Sequence, residues 1–109
     1  MKIFCYGTLK KGHLRSRNLS EQQFLGEVKT LPKYKLYRLG AYPGLVQEGN
    51  SAVKGELYEV DDNCLEMLDY IEGHPDLFKR EIIEIVGHEE VMAYFWQGEP
   101  GQDCGDCWI

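Results

Sequence analysis

Residues 4–12 of the chain, Phe-Cys-Tyr-Gly-Thr-Leu-Lys-Lys-Gly, join an apolar strand to a small, hydroxylated and basic loop. A strand that breaks at Gly7, with Thr8 beside it, can turn several backbone N–H groups toward one point. Such a group of donors binds a carboxylate or an oxyanion. Tyr-Gly-Thr is also an ordinary strand ending, so the loop alone is compatible with a binding site and with a plain exit from the strand.

A second candidate is Glu72, in the stretch Asp69-Tyr-Ile-Glu-Gly-His-Pro75 at the end of an amphipathic helix. The C-terminus of a helix is the negative end of its dipole, which disfavours an acid there by about 0.3–1 kcal/mol. Glu72 therefore either projects into water or has a task that offsets this cost. Arg80 follows shortly, and it suits either an anionic substrate group or a structural ion pair.

The cysteines and histidines raise the question of redox or metal chemistry. Cys104 and Cys107 form a Cys-x-x-Cys pair, but a thioredoxin-like motif belongs at a helix start and a zinc site needs four ligands. Cys5 and Cys64 lie in apolar patterns typical of core residues, which leaves a four-thiolate zinc site as a minor alternative. The three histidines have no metal-ligand spacing and are interpreted as surface residues: His13, His74 and His88.

The sequence predicts six strands and one helix, and these elements must position the candidate residues. The strands are predicted over residues 3–6, 24–30, 34–39, 52–60, 80–86 and 91–96. Alternation in residues 52–60 places Glu56 and Leu57 on opposite faces, and Gly55 indicates a bend, a bulge or a close backbone approach. The helix is predicted over Asp62–Glu72, with Asn63 as its N-cap, Glu66 in the capping-box position and Gly73 at its end. This pattern indicates an α+β fold built on a curved, mostly antiparallel sheet that can close into a small barrel.

Length and charge restrict the class of protein. A chain of 109 residues fits a single domain, residues 1–109, with one core. The net charge of −6 disfavours nucleic acid or an anionic membrane as the main partner. The charge is unevenly distributed: the chain up to Arg38 has nine Lys/Arg and two acids, and the rest has three Lys/Arg and sixteen acids. Neither a membrane span nor a secretory leader is visible in the pattern, so a cytoplasmic monomer is the default expectation.

Four short pieces of the chain, taken in order, match one known set of motifs. They are Tyr6-Gly-Thr-Leu9, Tyr42-Pro-Gly-Leu45, Val-Lys-Gly-Glu-Leu-Tyr-Glu-Val at residues 53–60, and Leu-Asp-Tyr-Ile-Glu-Gly-His-Pro at residues 68–75 with Arg80 after it. On these motifs the chain resembles the γ-glutamyl cyclotransferase-like family, close to its γ-glutamylamine cyclotransferase (AIG2-like) branch. The resemblance covers most of the chain. It implies a six-stranded β-barrel flanked by helices, with the loop at residues 6–9 and Glu72 meeting at one cavity.

Enzymes of this family cleave γ-glutamyl amides by turning the glutamyl group on itself. Its α-amine attacks its own γ-carbonyl, which closes 5-oxoproline and expels the amine. The nucleophile belongs to the substrate, so the resemblance implies no nucleophilic side chain, metal or cofactor. It implies that Glu72 is the catalytic acid–base group and that four residues bind the glutamyl end or the developing oxyanion: Tyr6, Gly7, Thr8 and Leu9.

An ordinary glutamate, with a pKa of about 4.3, is poorly matched to an amine with a pKa of about 8. We therefore predict that Glu72 is partly removed from water and that burial raises its pKa. One departure from the family pattern is Phe78, where a tyrosine is frequent. The alternative to an enzyme is a non-catalytic small-molecule binding module on the same fold. In either case the sequence leaves the group beyond the γ-carbonyl open.

Overall fold

The computed structural model describes residues 1–6, 22–38, 43–98 and 102–105. These residues form eight strands and one helix. In chain order they are β1 (Lys2–Cys5), β2 (Gln23–Lys29), β3 (Tyr34–Arg38), β4 (Pro43–Ser51), β5 (Lys54–Glu59), α1 (Asp62–Glu72), β6 (Phe78–Ile85), β7 (His88–Trp96) and β8 (Gln102–Gly105). The helix is too short to cross a membrane, and no other helix occurs in the described part of the chain.

All eight strands belong to one sheet, in the order β2-β5-β1-β7-β4-β3-β8, with β6 also paired to β7. Only the β1–β7 and β4–β7 pairs are parallel, which confirms the predicted α+β class and the mostly antiparallel pairing. The predicted count of six strands is wrong because β4 and β8 were not expected. The pairings among the described strands do not close the sheet, so the barrel stays a prediction. An isolated bridge between Thr30 and Ile85 nevertheless brings the end of β2 to β6.

The strand β1 lies inside the sheet, between β5 and β7, and its two faces contribute to two core clusters. Lys2 is paired with Glu59 of β5 on one side and with Val91 of β7 on the other. Because side chains alternate along a strand, Phe4 and Tyr6 enter one cluster. Ile3 and Cys5 enter the other cluster, which we name the helix-side layer and which contains Ile3, Cys5, Tyr58, Val60, Cys64, Leu68, Phe78 and Tyr94.

The glycine within β5 allows two strands to approach closely. A Cβ atom at Gly55 would lie 2.5 Å from the Cys5 carbonyl oxygen and 2.6 Å from the Phe4 ring. The predicted close backbone approach is therefore confirmed. The irregular register lies in the neighbouring strand β2, between Phe24 and Gly26, where Gly26 has a φ of 128°.

The helix α1 has the predicted bounds, Asp62–Glu72, but a different N-cap. Asp61 caps it, since its Oδ1 accepts a hydrogen bond of 2.8 Å from the Cys64 amide, so the predicted Asn63 cap is wrong. Gly73 ends the helix as predicted, with a left-handed φ of 67°. The buried positions of α1 are Cys64, Leu68 and Glu72, spaced four residues apart along one face. The acid is thus the last residue of the face that packs on the sheet.

Candidate functional site

The carboxylate of Glu72 lies inside the protein. Its side chain is 7% exposed and continues the row of Cys64 and Leu68 into the helix-side layer. The predicted removal of Glu72 from water is confirmed, and its raised pKa stays a prediction. A buried carboxylate at the negative end of a helix opposes two ordinary preferences, which is the pattern expected of a functional acid rather than of a surface residue.

Tyr6 brings the end of β1 to the same region. Burial raises the pKa of Tyr6 well above its ordinary value, and the nearby negative charge of Glu72 raises it further. Its hydroxyl donates to the Tyr94 carbonyl oxygen at 2.5 Å and accepts from the Leu45 amide at 3.2 Å. The side chain of Tyr6 therefore joins β1 to β4 and β7. The other three predicted binding residues, Gly7, Thr8 and Leu9, lie outside the described residues.

A second buried acid, Glu56, was not predicted as a site residue. It is 5% exposed and is paired with Cys5 across β5 and β1. Burial raises the pKa of the Cys5 thiol, and the charges of Glu56 and Glu72 raise it further, so both carboxylates lie near this thiol. The signal in the sequence was that this acid lies on the same strand face as Tyr58. In the structure, the Tyr58 hydroxyl donates to Glu56 Oε1 at 3.4 Å.

Arg80 forms an ion pair with Asp69, one turn before Glu72. Its Nε and Nη2 donate to the two oxygens of Asp69 at 2.9 and 3.1 Å, a bidentate arrangement. The Tyr94 hydroxyl donates to Asp69 Oδ1 at 2.6 Å, and the Arg80 amide donates to Nδ1 of His74 at 3.0 Å. These contacts support the structural interpretation of Arg80. They also give His74 a defined partner, where a plain surface position was predicted.

Through Asp69, this network makes the free energy of unfolding decrease at acidic pH. Burial alone would raise the pKa of Asp69, but hydrogen bonds from Arg80 and Tyr94 and the Arg80 charge outweigh it and hold the pKa below the ordinary value of 3.8. The stabilisation is therefore complete above that value and is lost as the pH falls through the lower, folded-state pKa. We expect Asp69→Asn to cost about 2 kcal/mol at neutral pH.

The measurement is urea unfolding of both proteins from about pH 7 to about pH 2.5. The difference between the wild type and Asp69→Asn should shrink only at the acidic end. Asp76→Asn, a change at an exposed aspartate just after α1, serves as the control and should alter stability by less than about 0.5 kcal/mol. A gap between wild type and Asp69→Asn that stays constant down to the lowest pH would contradict this interpretation.

The remaining sequence features lie in the helix-side layer or outside the described residues. Cys64 is buried in the helix-side layer, and the side chains of Cys104 and Cys107 are not described. Within residues 1–6, 22–38 and 43–98, no three His, Cys, Asp or Glu side chains are grouped as metal ligands. Phe78 packs in the helix-side layer, with its ring 5.3 Å from that of Trp96. A surface groove lies at the start of β1 and is lined by Met1, Lys2, Glu59, Ile82, Glu90 and Met92.

The family model and the related sequences all point to one family. A sequence model described as "Gamma-glutamyl cyclotransferase, AIG2-like" matches residues 3–108. A Vibrio cholerae protein, named provisionally as a gamma-glutamylcyclotransferase, is 48% identical over 82 residues, which cover 75% of this chain and 70% of the relative. The gamma-glutamylcyclotransferase family protein YtfP of Escherichia coli K12 is 37% identical over 84 residues, 77% of this chain and 73% of YtfP.

Solved structures with the same fold support this relationship. The uncharacterized protein PH0828 of Pyrococcus horikoshii superposes with a TM-score of 0.80 at 27% identity, covering 96% of this chain and 86% of PH0828. An AIG2-like protein of Mus musculus superposes with a TM-score of 0.76 at 27% identity, covering 86% of this chain and 75% of the mouse chain. The motifs, the fold and the family match agree: this chain belongs to the AIG2-like gamma-glutamyl cyclotransferase family.

Proposed function

We propose that this protein is a γ-glutamylamine-type cyclotransferase, which converts a γ-glutamyl amide into 5-oxoproline and a free amine and uses no cofactor. The observation that carries the proposal is the buried carboxylate of Glu72 near the end of β1. Family membership supports the class of substrate, and the burial of Glu72 supports its role as the acid–base group.

The proposed reaction needs one group that accepts and returns a proton. Glu72 takes a proton from the α-ammonium of the substrate, and the freed amine attacks the γ-carbonyl carbon. A nitrogen–carbon bond forms while the carbonyl electrons move onto the oxygen. As this intermediate collapses, the bond to the leaving nitrogen breaks and Glu72 returns its proton to that nitrogen. The attacking nitrogen gives up its second proton by the same route, so the ring keeps one N–H and the amine leaves as an ammonium. All substrate atoms are then in 5-oxoproline and the amine, so the reaction needs no water and no oxidant.

The main chain at the end of β1 is proposed to hold the glutamyl end or the developing oxyanion. Thr8, Gly7 and Leu9 retain this proposed role from the motif. For Tyr6 such a contact would use backbone atoms, because its hydroxyl already bonds to Tyr94 and Leu45. Binding by several main-chain groups suits intramolecular attack, because this attack depends on folding the glutamyl chain into a reactive conformer.

The proposal is tested with a panel of γ-glutamyl compounds in which the leaving amine varies. The panel includes ε-(γ-glutamyl)lysine, a γ-glutamyl alkylamine and a γ-glutamyl dipeptide, and the product is followed by mass spectrometry. We expect at least one compound to give 5-oxoproline and an equal amount of free amine. The α-glutamyl isomers are the matched control, since attack on their neighbouring carbonyl would require a three-membered ring.

The same panel separates the enzyme from its alternative. If γ-glutamyl compounds bind in calorimetry and none gives 5-oxoproline above the protein-free rate, the enzyme proposal is wrong. The result would favour the non-catalytic binding module, and the hydroxyl that Phe78 lacks would then be the first difference to examine.

A further inference from the structure

Tyr94 contacts both parts of the proposed site with two different groups. It lies on β7 in the helix-side layer and is 2% exposed. Its backbone oxygen accepts the hydroxyl of Tyr6 at 2.5 Å, and its own hydroxyl donates to Asp69 Oδ1 at 2.6 Å. One residue thus bonds to the end of β1 and to the helix that carries Glu72.

The contact with Asp69 fixes the last turn of α1. Asp69 and Glu72 are three residues apart, so their side chains are neighbours on the helix surface. The backbone oxygen of Asp69 accepts a hydrogen bond of 2.9 Å from the His74 amide at the end of the helix. Arg80, on β6, donates two hydrogen bonds to the Asp69 carboxylate. A movement of Asp69 would therefore displace the turn from which Glu72 projects.

We propose that Tyr94 is a positioning residue, which holds the carboxylate of Glu72 at a fixed distance from the end of β1. This inference rests on the proposed function, because it assigns Tyr94 a task in the same reaction. Tyr94 does not touch the substrate and exchanges no proton with it. Its hydroxyl acts through Asp69 on the helix, and its carbonyl acts through Tyr6 on the strand.

Such a role has a measurable catalytic consequence. An acid–base group must be held within about 0.5 Å of its productive place, and a displacement of about 1 Å can cost about 100-fold in rate. Loss of the Tyr94 hydroxyl leaves the bidentate Asp69–Arg80 pair, so the helix stays docked but is less tightly placed. The rate of the chemical step should then fall while substrate binding changes little.

The test compares Tyr94→Phe with Tyr34→Phe. Tyr34 is also buried, and its hydroxyl accepts the Glu84 amide at 2.9 Å in the other core cluster, away from α1. Both changes remove one buried hydroxyl, so they control for lost stability. We expect Tyr94→Phe to lower kcat by about 10-fold or more with KM almost unchanged, and Tyr34→Phe to leave both near the wild-type values.

A second readout is independent of turnover. Hydrogen exchange of the Gly73 and His74 amides, which bond to Tyr70 and Asp69 oxygens, should become faster in Tyr94→Phe and not in Tyr34→Phe. If Tyr94→Phe does not fold, Asp69→Asn replaces it and should also lower kcat and speed this exchange.

The outcomes separate this inference from the proposed function. An active wild type with equal kcat values for the two tyrosine variants would overturn the role of Tyr94 and leave the cyclotransferase proposal intact. A wild type that gives no 5-oxoproline would contradict the proposed function. In that case the exchange measurement decides on its own: faster exchange in Tyr94→Phe supports positioning of the helix end, and unchanged exchange overturns it.

Discussion

Replacing Glu72 by glutamine is expected to lower kcat for 5-oxoproline release by about 100- to 10,000-fold. Glutamine has nearly the same shape as glutamate, but it cannot accept the proton of the substrate ammonium at neutral pH. Because the side chain is 7% exposed, no bulk water replaces the lost base easily. The measurement is steady-state release of 5-oxoproline from the best substrate of the panel.

The control is Glu66→Gln, a change at an exposed acid of the same helix, which should leave kcat unchanged. Calorimetry with the same γ-glutamyl compound should show that Glu72→Gln still binds, since the change removes a reacting group and not the binding surface. A Glu72→Gln protein that turns over within a few-fold of the wild type would contradict the acid–base role. A protein that neither folds nor binds would point to a structural role for Glu72.

Replacing Gly55 by alanine is expected to destabilise the protein by about 3 kcal/mol, near the upper part of the usual cost of overpacking. The added Cβ would lie 2.5 Å from the Cys5 carbonyl oxygen, a backbone atom of the neighbouring strand β1, and 2.6 Å from the Phe4 ring. Neither neighbour can rotate away as a flexible surface chain would, so the pairing of β1 with β5 must shift. Urea unfolding measures the loss.

Lys54→Ala, at the adjacent exposed position of β5, is the control and should change stability by less than about 0.5 kcal/mol. The comparison separates crowding at Gly55 from a general sensitivity of the strand. If the two variants unfold at the same urea concentration, the close approach of β1 and β5 does not constrain the sheet as described.

The parts of the fold that local sequence controls were predictable. The bounds of α1 follow from the apolar spacing and from Gly73, and the faces of β5 follow from its alternation. β4 was missed because its sequence, Pro-Gly-Leu-Val-Gln-Glu-Gly-Asn-Ser, contains two glycines and little alternation; its strand form depends on pairing with β3 and β7. The N-cap was misplaced because Asp61 and Asn63 are both residue types that cap helices, and local sequence does not distinguish between them.

The site was predictable only where one residue opposed its local preference. Glu72 stood out as an acid at the negative end of a helix, and its burial excludes the alternative of a surface position, while its role stays a prediction. Tyr94 carried no such signal, because its contacts with Tyr6 and Asp69 arise from pairing across distant strands. Arg80 faces Tyr94 across β6 and β7, and this register brings both onto Asp69. The contact of both side chains with Asp69 depends on the strand pairing in the sheet, so no single segment of the sequence predicts it.

The position of β1 between β5 and β7 also affects how the chain assembles. Its first neighbour, β5, and its second neighbour, β7, are both separated from it by long stretches of sequence. Contacts between such remote segments carry a large loop-closure cost, which slows folding. During synthesis the apolar strand β1 leaves the ribosome well before either partner does. The contact between Tyr6 and Tyr94 is therefore a late product of folding, formed only when β7 pairs beside the first strand.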